Sequence, residues 1–451
     1  MTQREPGSRP HPTETGERLA RVLLERLRDV DFGGVIDLGR RTPGLPAPTV
    51  DRTPHVDVAV IALDADRQAV AAANVQQSRD APRGRVVPLG ADLAALETDF
   101  RAWDLARWQD LTPEDYTARP YPQGSALVPG AEGVPFMSPY PASVFKLLVA
   151  VQVLRSVDAG RLDLAERTVN RTPETEGIEG RSLPAQGAEP TVEQALDAMI
   201  TYSDNVSTCL LLQQLHVLGQ LDADDNALNA TFARLGMPTL QVNGTDPMTG
   251  TRWGVGDIHM TAMDTARLLL LLQGGRFSRP GAGGVEPSGL LGSSSRRLLL
   301  SLLEEQGLHE VLSTSNWCGR SYPPRGIPAP VPARWVADDG TVRVDGIDYG
   351  CDTRPCNAAA EVSFSHKTGL TENFGADVGL VTAFPRQDGR RYIVAVFSNL
   401  GYRYSDADRP YDPDDDPDGG PSEDGVCYSR RFAELGRAVD DLMRRPWVWS
   451  D

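Results

Sequence analysis

Residues 141–154 have the sequence PASVFKLLVAVQVL, in which Ser143 and Lys146 precede a predominantly apolar run. The run is typical of a mostly buried helix, and Gly160 is a suitable place for that helix to end. A spacing of three residues puts Ser143 and Lys146 on one helix face. A serine needs an adjacent base to act as a nucleophile, and a desolvated lysine can be that base. An isolated Ser-x-x-Lys more often marks a solvated helix face, so other motifs must support the catalytic interpretation.

The lysine content of the chain gives such support. Of its 45 basic residues only Lys146 and Lys367 are lysines, and all the others are arginines. A bias towards arginine explains the generic positive charges but not these two exceptions. Lysine can lose its proton in a suitable site and act as a base, whereas arginine stays protonated. We therefore expect chemistry at both lysines.

The sequence around Lys367 is EVSFSHKTGL. Its alternation predicts a strand, and Gly369 permits close approach of a ligand to the backbone. Residues 375–384 and 391–399 are predicted to be two further strands. Together the three predict an antiparallel sheet in which Lys367 points towards a cleft.

A third motif, Ser203-Asp204-Asn205, lies between the two lysines. A helix precedes it, with Thr191 and Gln194 in the spacing of a capping box. The motif interrupts the apolar periodicity, and a second apolar run follows it. Taken alone, it is explained by an ordinary N-cap between two helices.

The order Ser-x-x-Lys, Ser-Asp-Asn, Lys-Thr-Gly is that of class A β-lactamases and penicillin-binding proteins. The chain therefore resembles the penicillin-recognising serine hydrolases, and among them the class A β-lactamase branch. The resemblance covers residues 18–77 and 138–445, with interruptions, and makes residues 56–64 the first strand. It implies an α/β (α+β) fold, with an antiparallel sheet flanked by helices, an all-helical lobe, and the serine helix between them.

The resemblance also implies roles for the motif residues. Ser143 would be acylated, Lys146 would help to deprotonate it, and Ser203 would relay a proton to the leaving nitrogen. Asn205 would hold the substrate amide. Lys367 and Thr368 would bind the substrate carboxylate, a role that suits a fixed positive charge. The N–H groups of Ser143 and of Leu370, which follows Gly369, would form the oxyanion hole.

One expected residue is missing. Class A β-lactamases carry a Glu in the Ω-loop that activates the deacylating water, and the corresponding residues 240–254 contain no Glu. Asp246 is the nearest carboxylate, either as a substitute base or as a turn residue before Pro247. The resemblance thus supports serine acylation but puts efficient β-lactam hydrolysis in doubt.

Three functions follow from the motifs. The first is a serine hydrolase that forms an acyl-enzyme on a β-lactam or a D-amino-acid peptide. The second is a D-alanyl-D-alanine carboxypeptidase-like peptidase, or another amide or ester hydrolase. The third, from another class, is a covalent penicillin-binding sensor without turnover.

Composition limits the partners. With 62 acidic against 45 basic residues the net charge is −17, which argues against nucleic acid. No apolar run approaches the roughly 20 residues that span a bilayer. The first thirty residues lack the apolar core of a secretory leader, so the chain is cytoplasmic as written, or secreted if a leader was removed. We expect a monomer that acts on a small molecule or a peptidoglycan peptide, without cofactor or metal.

The chain is predicted to be one domain, residues 16–451, after a disordered tail, residues 1–15. Insertions are expected at about 78–137, 318–360 and 403–425. The first contains an acidic amphipathic stretch, residues 92–108, which suggests a helical lid or a small subdomain. Residues 412–419 alternate carboxylates as a calcium loop does, but without its bidentate Glu, so a solvated acidic loop is preferred.

The chain has five cysteines. Cys209 is predicted to be a core residue. Cys351 is expected to pair with Cys356, or either of them with Cys318, in a secreted protein. Zinc is disfavoured because no tight Cys-x-x-Cys pair is present. The odd number leaves Cys427 unassigned.

Overall fold

The computed structural model describes residues 12–40, 42, 45, 47–103, 133–171, 189–222, 226–279, 283–320, 323–385, 388–406 and 430–446. Its helices are α1 (Pro12–Val30), α2 (Lys146–Asp158), α3 (Val192–Thr201), α4 (Asn205–Val217), α5 (Ala227–Arg234), α6 (Ala262–Leu272), α7 (Pro287–Leu290), α8 (Ser293–Glu304), α9 (Arg354–Ala358) and α10 (Arg430–Met443). Its 3₁₀ turns are Leu38–Arg40, Ala142–Phe145, Ser315–Trp317 and Ala333–Trp335.

The strands are β1 (Val35–Asp37), β2 (Val56–Leu63), β3 (Ala69–Ser78), β4 (Ala81–Val87), β5 (Thr98–Arg101), β6 (Val134–Met137), β7 (Gln241–Val242), β8 (Ile258–His259), β9 (Phe277–Arg279), β10 (Gly283–Val285), β11 (Thr341–Val344), β12 (Ile347–Asp352), β13 (Val362–Leu370), β14 (Gly375–Ala383), β15 (Arg391–Ser398) and β16 (Tyr404–Asp406). Six of them form one antiparallel sheet in the order β13-β14-β15-β2-β3-β4. The three strands predicted around and after Lys367, and the predicted first strand, are confirmed as neighbours in this sheet.

Helices cover the sheet and build the lobe beside it. Every residue of β2 is buried, so both faces of the sheet are covered at its centre. The helix α1 packs on β3 and β4, and α6 packs on β2 and β15. The lobe is formed where α2 contacts α3, α4, α5 and α8, and the turn Ala142–Phe145 contacts β13. The serine turn therefore lies between sheet and lobe, which confirms the predicted fold class.

Local signals in the sequence placed two helix ends correctly. Thr191 and Gln194 form the predicted capping box, in which the Thr191 Oγ1 accepts from the Gln194 N–H at 3.2 Å and the Gln194 Oε1 accepts from the Thr191 N–H at 2.9 Å. The serine helix α2 ends at Asp158, just before Gly160, whose φ of +66° is left-handed. Such a conformation costs glycine little, because it has no Cβ.

Two parts of the first insertion and of the N-terminus differ from the helical lid and the tail considered above. Residues 12–15 of the predicted disordered tail belong to α1, which begins at Pro12 and buries Leu19, Leu23 and Leu27 on one helix face. Within residues 92–108 the described part forms no helix. Instead, β5 pairs in parallel with β6, and these backbone hydrogen bonds exclude a helical lid there. Residues 104–132 lie outside the described residues.

The predicted insertion at 318–360 carries β11, β12 and a small core of its own that includes Trp317 and Tyr349. A disulfide joins Cys318 to Cys356, one of the expected pairings. Cys351 is a buried thiol, and Cys209 is buried in the core as predicted. Most of the expected insertion at 403–425, the acidic residues 412–419 and the last cysteine lie outside the described residues. No helix in the described ranges is long and apolar enough to cross a membrane.

Candidate active site

Ser143 lies in the turn Ala142–Phe145, which runs directly into α2 at Lys146. The three other residues of the turn are buried, whereas Ser143 is partly exposed. Ala142 has a left-handed φ of +45°, a conformation that costs free energy in a residue with a Cβ and is common at functional sites. The buried residues of the turn therefore keep Ser143 at the protein surface.

The Lys146 side chain is completely buried beside the Ser-Asp-Asn motif. Its Nζ donates to the Ser203 backbone oxygen at 2.6 Å, to the Ser203 Oγ at 3.0 Å and to the Asn205 Oδ1 at 2.6 Å. Because an ammonium has three N–H groups, these contacts match its full donor capacity. The motif thus holds the end of the lysine in place.

Lys367 is completely buried as well, at the opposite side of the same hydroxyl. Its Nζ donates to the Ser203 Oγ at 2.9 Å and to the Thr368 backbone oxygen at 2.9 Å. Burial, and after it the charge of Lys146, holds the pKa of Lys367 well below its ordinary value. The expected positive charge at Lys367 stays a prediction, and burial makes that charge dependent on the groups around the amine.

The Ser-Asp-Asn motif has two structural roles: it caps helix α4, and it contacts Lys146. Asp204 is the N-cap of α4, and its Oδ2 accepts from the Ser207 N–H at 2.6 Å. Ser203 precedes the cap with a left-handed φ of +66°. An N-cap does lie between the two helices, but it is Asp204 and not the serine or the asparagine of the motif, which contact Lys146.

Gly369 brings the end of β13 against the serine turn. A Cβ at this position would lie 2.4 Å from the Pro141 backbone oxygen and 3.0 Å from the Ser143 nitrogen. Only a glycine allows this approach, which places the two predicted oxyanion donors, the N–H groups of Ser143 and Leu370, in neighbouring segments. Thr368, expected to bind a carboxylate, is buried in β13 opposite Asp377.

Asp246, the candidate for the missing base, is held by its own loop. Its Oδ1 accepts from the Met248 N–H at 2.8 Å and from the Thr249 N–H at 2.9 Å. These hydrogen bonds, that of Thr249 first, lower the pKa of Asp246. A carboxylate with a lowered pKa is a weaker base. The geometry therefore favours the second interpretation made from the sequence, a turn residue before Pro247.

Sequence reasoning missed a set of buried polar residues in the interior of the protein, namely His309, Glu310, Tyr349, His366 and Asp377. The only signal was the histidine directly before Lys367. The others come from segments that no motif connects to the site. In the part of the chain that the structure describes, no group of three or more His, Cys, Asp or Glu residues could hold a metal ion.

Residues 138–315 match the family described as "Beta-lactamase enzyme family". The matched segment, less than half of the chain, is similar to that family. The predicted resemblance is thereby confirmed. The matched β-lactamase segment contains Ser143, Lys146, Ser203 and Asn205, and it ends before Lys367.

Several solved structures are similar to the chain at low identity. One is PBP-A, at 17% identity and a TM-score of 0.45, with 94% of this chain and 96% of that chain covered. A mutant of the last common ancestor of Gram-negative class A β-lactamases has 17% identity and a TM-score of 0.44, with 93% and 98% covered. The β-lactamase of Sphaerobacter thermophilus has 20% identity and a TM-score of 0.39, with 67% and 83% covered. No curated protein matches the chain.

Proposed function

We propose that this β-lactamase-like protein is a serine hydrolase that forms an acyl-enzyme at Ser143. Its substrates are a β-lactam or a D-amino-acid peptide that ends in a carboxylate. The observation that carries the proposal is the convergence of the two lysines, whose Nζ atoms lie 3.0 Å and 2.9 Å from the same Ser203 Oγ. Both amines are buried, and such burial favours lysines that exchange protons.

The arrangement supports a balanced acylation step. The Ser143 Oγ attacks the substrate carbonyl and gives its proton to the amine form of Lys146. The carbonyl oxygen becomes an oxyanion, which the N–H groups of Ser143 and Leu370 stabilise. As the oxyanion re-forms the carbonyl and the C–N bond breaks, the Ser203 hydroxyl gives its proton to the leaving nitrogen and is reprotonated from a lysine Nζ within 3.0 Å of its Oγ. Two like charges close together are unfavourable, so at least one of the two lysines is readily deprotonated.

Substrate binding is assigned to the residues around this centre. The Asn205 Oδ1 accepts from Lys146 at 2.6 Å, and this contact orients the side-chain amide that we assign to the substrate amide. We assign the substrate carboxylate to Lys367 and Thr368. An arriving carboxylate favours the ammonium form of Lys367, because an opposite charge raises the pKa of a lysine. Binding of the substrate and protonation of Lys367 are then coupled.

Deacylation is expected to be the slow step. Residues 240–254 contain no Glu, and Asp246 accepts two N–H groups of its own loop. General-base catalysis typically contributes about 10²–10⁴-fold to a rate, and water that attacks the ester without a base lacks this factor. This observation favours a second candidate, a covalent penicillin-binding protein with little turnover, over an efficient β-lactamase.

Intact mass spectrometry during incubation with a penicillin tests the proposal. Ring opening loses no atoms, so acylation adds the full mass of the penicillin to the protein. A persistent adduct supports slow deacylation, and rapid recovery of the free mass with hydrolysed penicillin contradicts it. No adduct, together with cleavage of a D-alanyl-D-alanine peptide, supports the peptidase alternative. The absence of both an adduct and cleavage overturns the proposed function.

A further inference from the structure

The insertion before β13 forms a small unit that supplies no group to the acylation step above. We call residues 317–320 and 323–358 the insertion unit. Its core is separate from the main core of the protein and consists of Trp317, Val331, Val342, Val344 and Tyr349. The disulfide between Cys318 and Cys356 closes the unit, and such a cross-link restricts the conformations that the closed segment can take when it unfolds.

The core of the insertion unit reaches the residue directly before Ser203. Tyr202 packs against this core, and its ring centroid lies 5.8 Å from that of Trp335, at an interplanar angle of 74°. An edge-to-face pair of this kind is a favoured arrangement of aromatic rings. Tyr202 is the C-cap of α3, and Ser203 follows it. The unit therefore contacts the connection between α3 and α4 one residue away from the hydroxyl that both lysines meet.

Trp335 is itself held in place by polar contacts. Its Nε1 donates to the Glu305 backbone oxygen at 2.8 Å. The Arg334 guanidinium carbon lies 4.8 Å from the centroid of the Trp335 ring. Both terminal nitrogens of Arg334 donate to the Asp197 carboxylate in α3 at 2.9 Å, and such a two-point contact fixes the geometry of both groups. The ring is thus fixed relative to the helix that ends before Tyr202.

The segment after α8 joins the end of α3 to the insertion unit. The Gly307 N–H donates to the Thr201 backbone oxygen at 2.7 Å, and the Gln306 Nε2 donates to the Ile200 backbone oxygen at 2.8 Å. These contacts satisfy carbonyl groups that a helix end leaves without a partner in the helix. A Cβ at Gly307 would lie 3.0 Å from the Trp335 Cε2, so this segment packs tightly against the ring.

Ser203 depends on such support because its backbone is strained. Its φ of +66° is left-handed, a conformation that a residue with a Cβ keeps only where the surrounding structure enforces it. Its Oγ lies 3.0 Å from the Lys146 Nζ and 2.9 Å from the Lys367 Nζ. Because hydrogen bonds weaken steeply beyond this range, a small displacement of Ser203 would break one contact or both.

We propose that Tyr202 and Trp335 are positioning residues, through which the insertion unit holds the Ser203 hydroxyl between Lys146 and Lys367. The consequence for acylation rests on the proposed function, in which Ser203 passes a proton to the leaving nitrogen. The insertion unit then sets the rate of that proton transfer without supplying a reacting group.

The two lysines of the chain are natural probes of Ser203, because both contact its hydroxyl. Protein labelled with ¹³C-lysine gives two sets of lysine side-chain signals in NMR, and Lys146→Arg assigns the remaining set to Lys367. We expect Trp335→Ala to move both sets. Trp335→Phe keeps an aromatic ring beside Tyr202 and should move them less. Lysine signals that stay unchanged in a folded Trp335→Ala protein overturn the proposal.

Two arginines of the insertion unit provide a matched pair of variants. Arg334 forms an ion pair with Asp197 outside the unit, and Arg343 forms ion pairs with Asp339 and Asp348 inside it. Arg334→Ala should therefore move the lysine signals, and Arg343→Ala should leave them in place. Equal shifts in both variants would show a general loosening of the unit and would also overturn the proposal.

Acylation by penicillin gives a second readout. In Trp335→Ala we expect the maximal acylation rate to fall by about 10–10²-fold, since a misplacement of about 1 Å can cost about 10²-fold. The penicillin concentration that gives half the maximal rate should change little. Tyr202→Leu removes the same ring contact from the other side, so the double variant should lose no more than the more affected single variant. Losses that multiply would show that the two residues act independently, against the proposal.

The NMR measurement needs no substrate, so its outcome is separate from that of the proposed function. If the wild type forms no penicillin adduct and cleaves no D-alanyl-D-alanine peptide, the proposed function fails. The positioning of Ser203 by the insertion unit still stands in that case if Trp335→Ala moves the lysine signals. If Trp335→Ala does not fold, the spectra of Tyr202→Leu and Arg334→Ala decide the proposal by the same criteria.

Discussion

Two regions of the molecule hold their polar groups differently. One is the proposed acylation centre (Ser143, Lys146, Ser203 and Lys367), and the other is the loop of residues 240–254. In the centre, two buried amines meet one hydroxyl, and their residues come from three distant parts of the chain. In the loop, the Asp246 carboxylate accepts from N–H groups two and three residues along its own segment. The tertiary structure thus assembles the polar groups of the first region, whereas local hydrogen bonds engage the carboxylate of the second.

The difference leads us to predict that the acylation centre can form the ester, whereas the loop supplies no strong base to break it. Buried amines close to a hydroxyl can move protons, and a carboxylate whose lone pairs are engaged by backbone N–H groups is a poor base. We therefore expect substitutions in the acylation centre to change adduct formation, and substitutions in the loop to change little.

The largest effect is expected for Ser143→Ala, which removes the proposed nucleophile. It should abolish both the penicillin adduct and any hydrolysis, because no other atom is assigned to attack the carbonyl. The partly exposed position of Ser143 predicts that the fold survives, which thermal unfolding would check. If the adduct still forms in this variant, the nucleophile is another residue. The contrast between the acylation centre and the loop is then wrong.

The next largest effects separate the two lysines. Lys146→Arg should reduce the acylation rate by about 10²–10⁴-fold, the typical contribution of a general base, since arginine does not deprotonate. Lys367→Arg should lose less, because a guanidinium keeps the positive charge for a carboxylate. Single-turnover acylation rates measure both. Equal and complete loss in two folded variants would contradict this division of roles.

A smaller effect is expected for Gly369→Ala, which tests the contact between β13 and the serine turn. The new Cβ would lie 2.4 Å from the Pro141 oxygen, so the strand must move away from the oxyanion donors. Loss of one such donor typically costs about 10²–10³-fold in kcat. Gly254→Ala is the control in the loop, where the new Cβ would meet Asp257 at an ordinary 3.8 Å. If both substitutions change the acylation rate equally, the proposed difference between the acylation centre and the loop is wrong.

The smallest effect is expected for Asp246→Asn. Asparagine keeps the side-chain oxygen that accepts the two loop N–H groups, so stability should change by no more than about 0.5 kcal/mol. The lifetime of the acyl-enzyme, followed by intact mass, should stay the same. A longer lifetime with an unchanged acylation rate would show that Asp246 activates the deacylating water, and the comparison would then be wrong.

Local patterns in the sequence predicted a large part of the fold. Alternating apolar residues identified the strands around Lys367 and the first strand, and the spacing of Thr191 and Gln194 identified the start of α3. These features depend on neighbours a few residues apart, which a sequence shows directly. In the described part of the stretch at 92–108, pairing of β5 with β6, a contact across the insertion, disfavours the helical lid that was one of its two interpretations.

By itself, the sequence predicted which residues would carry the chemistry, through three short motifs and two lysines in a chain whose other basic residues are arginines. Only the tertiary structure decided how they work together. It brought Lys146 and Lys367 to one hydroxyl, paired Cys318 with Cys356, and buried Glu310 and Asp377 in the interior. The physical reason is that proton affinity depends on burial and on charges nearby, and packing of the sheet against the helical lobe sets both.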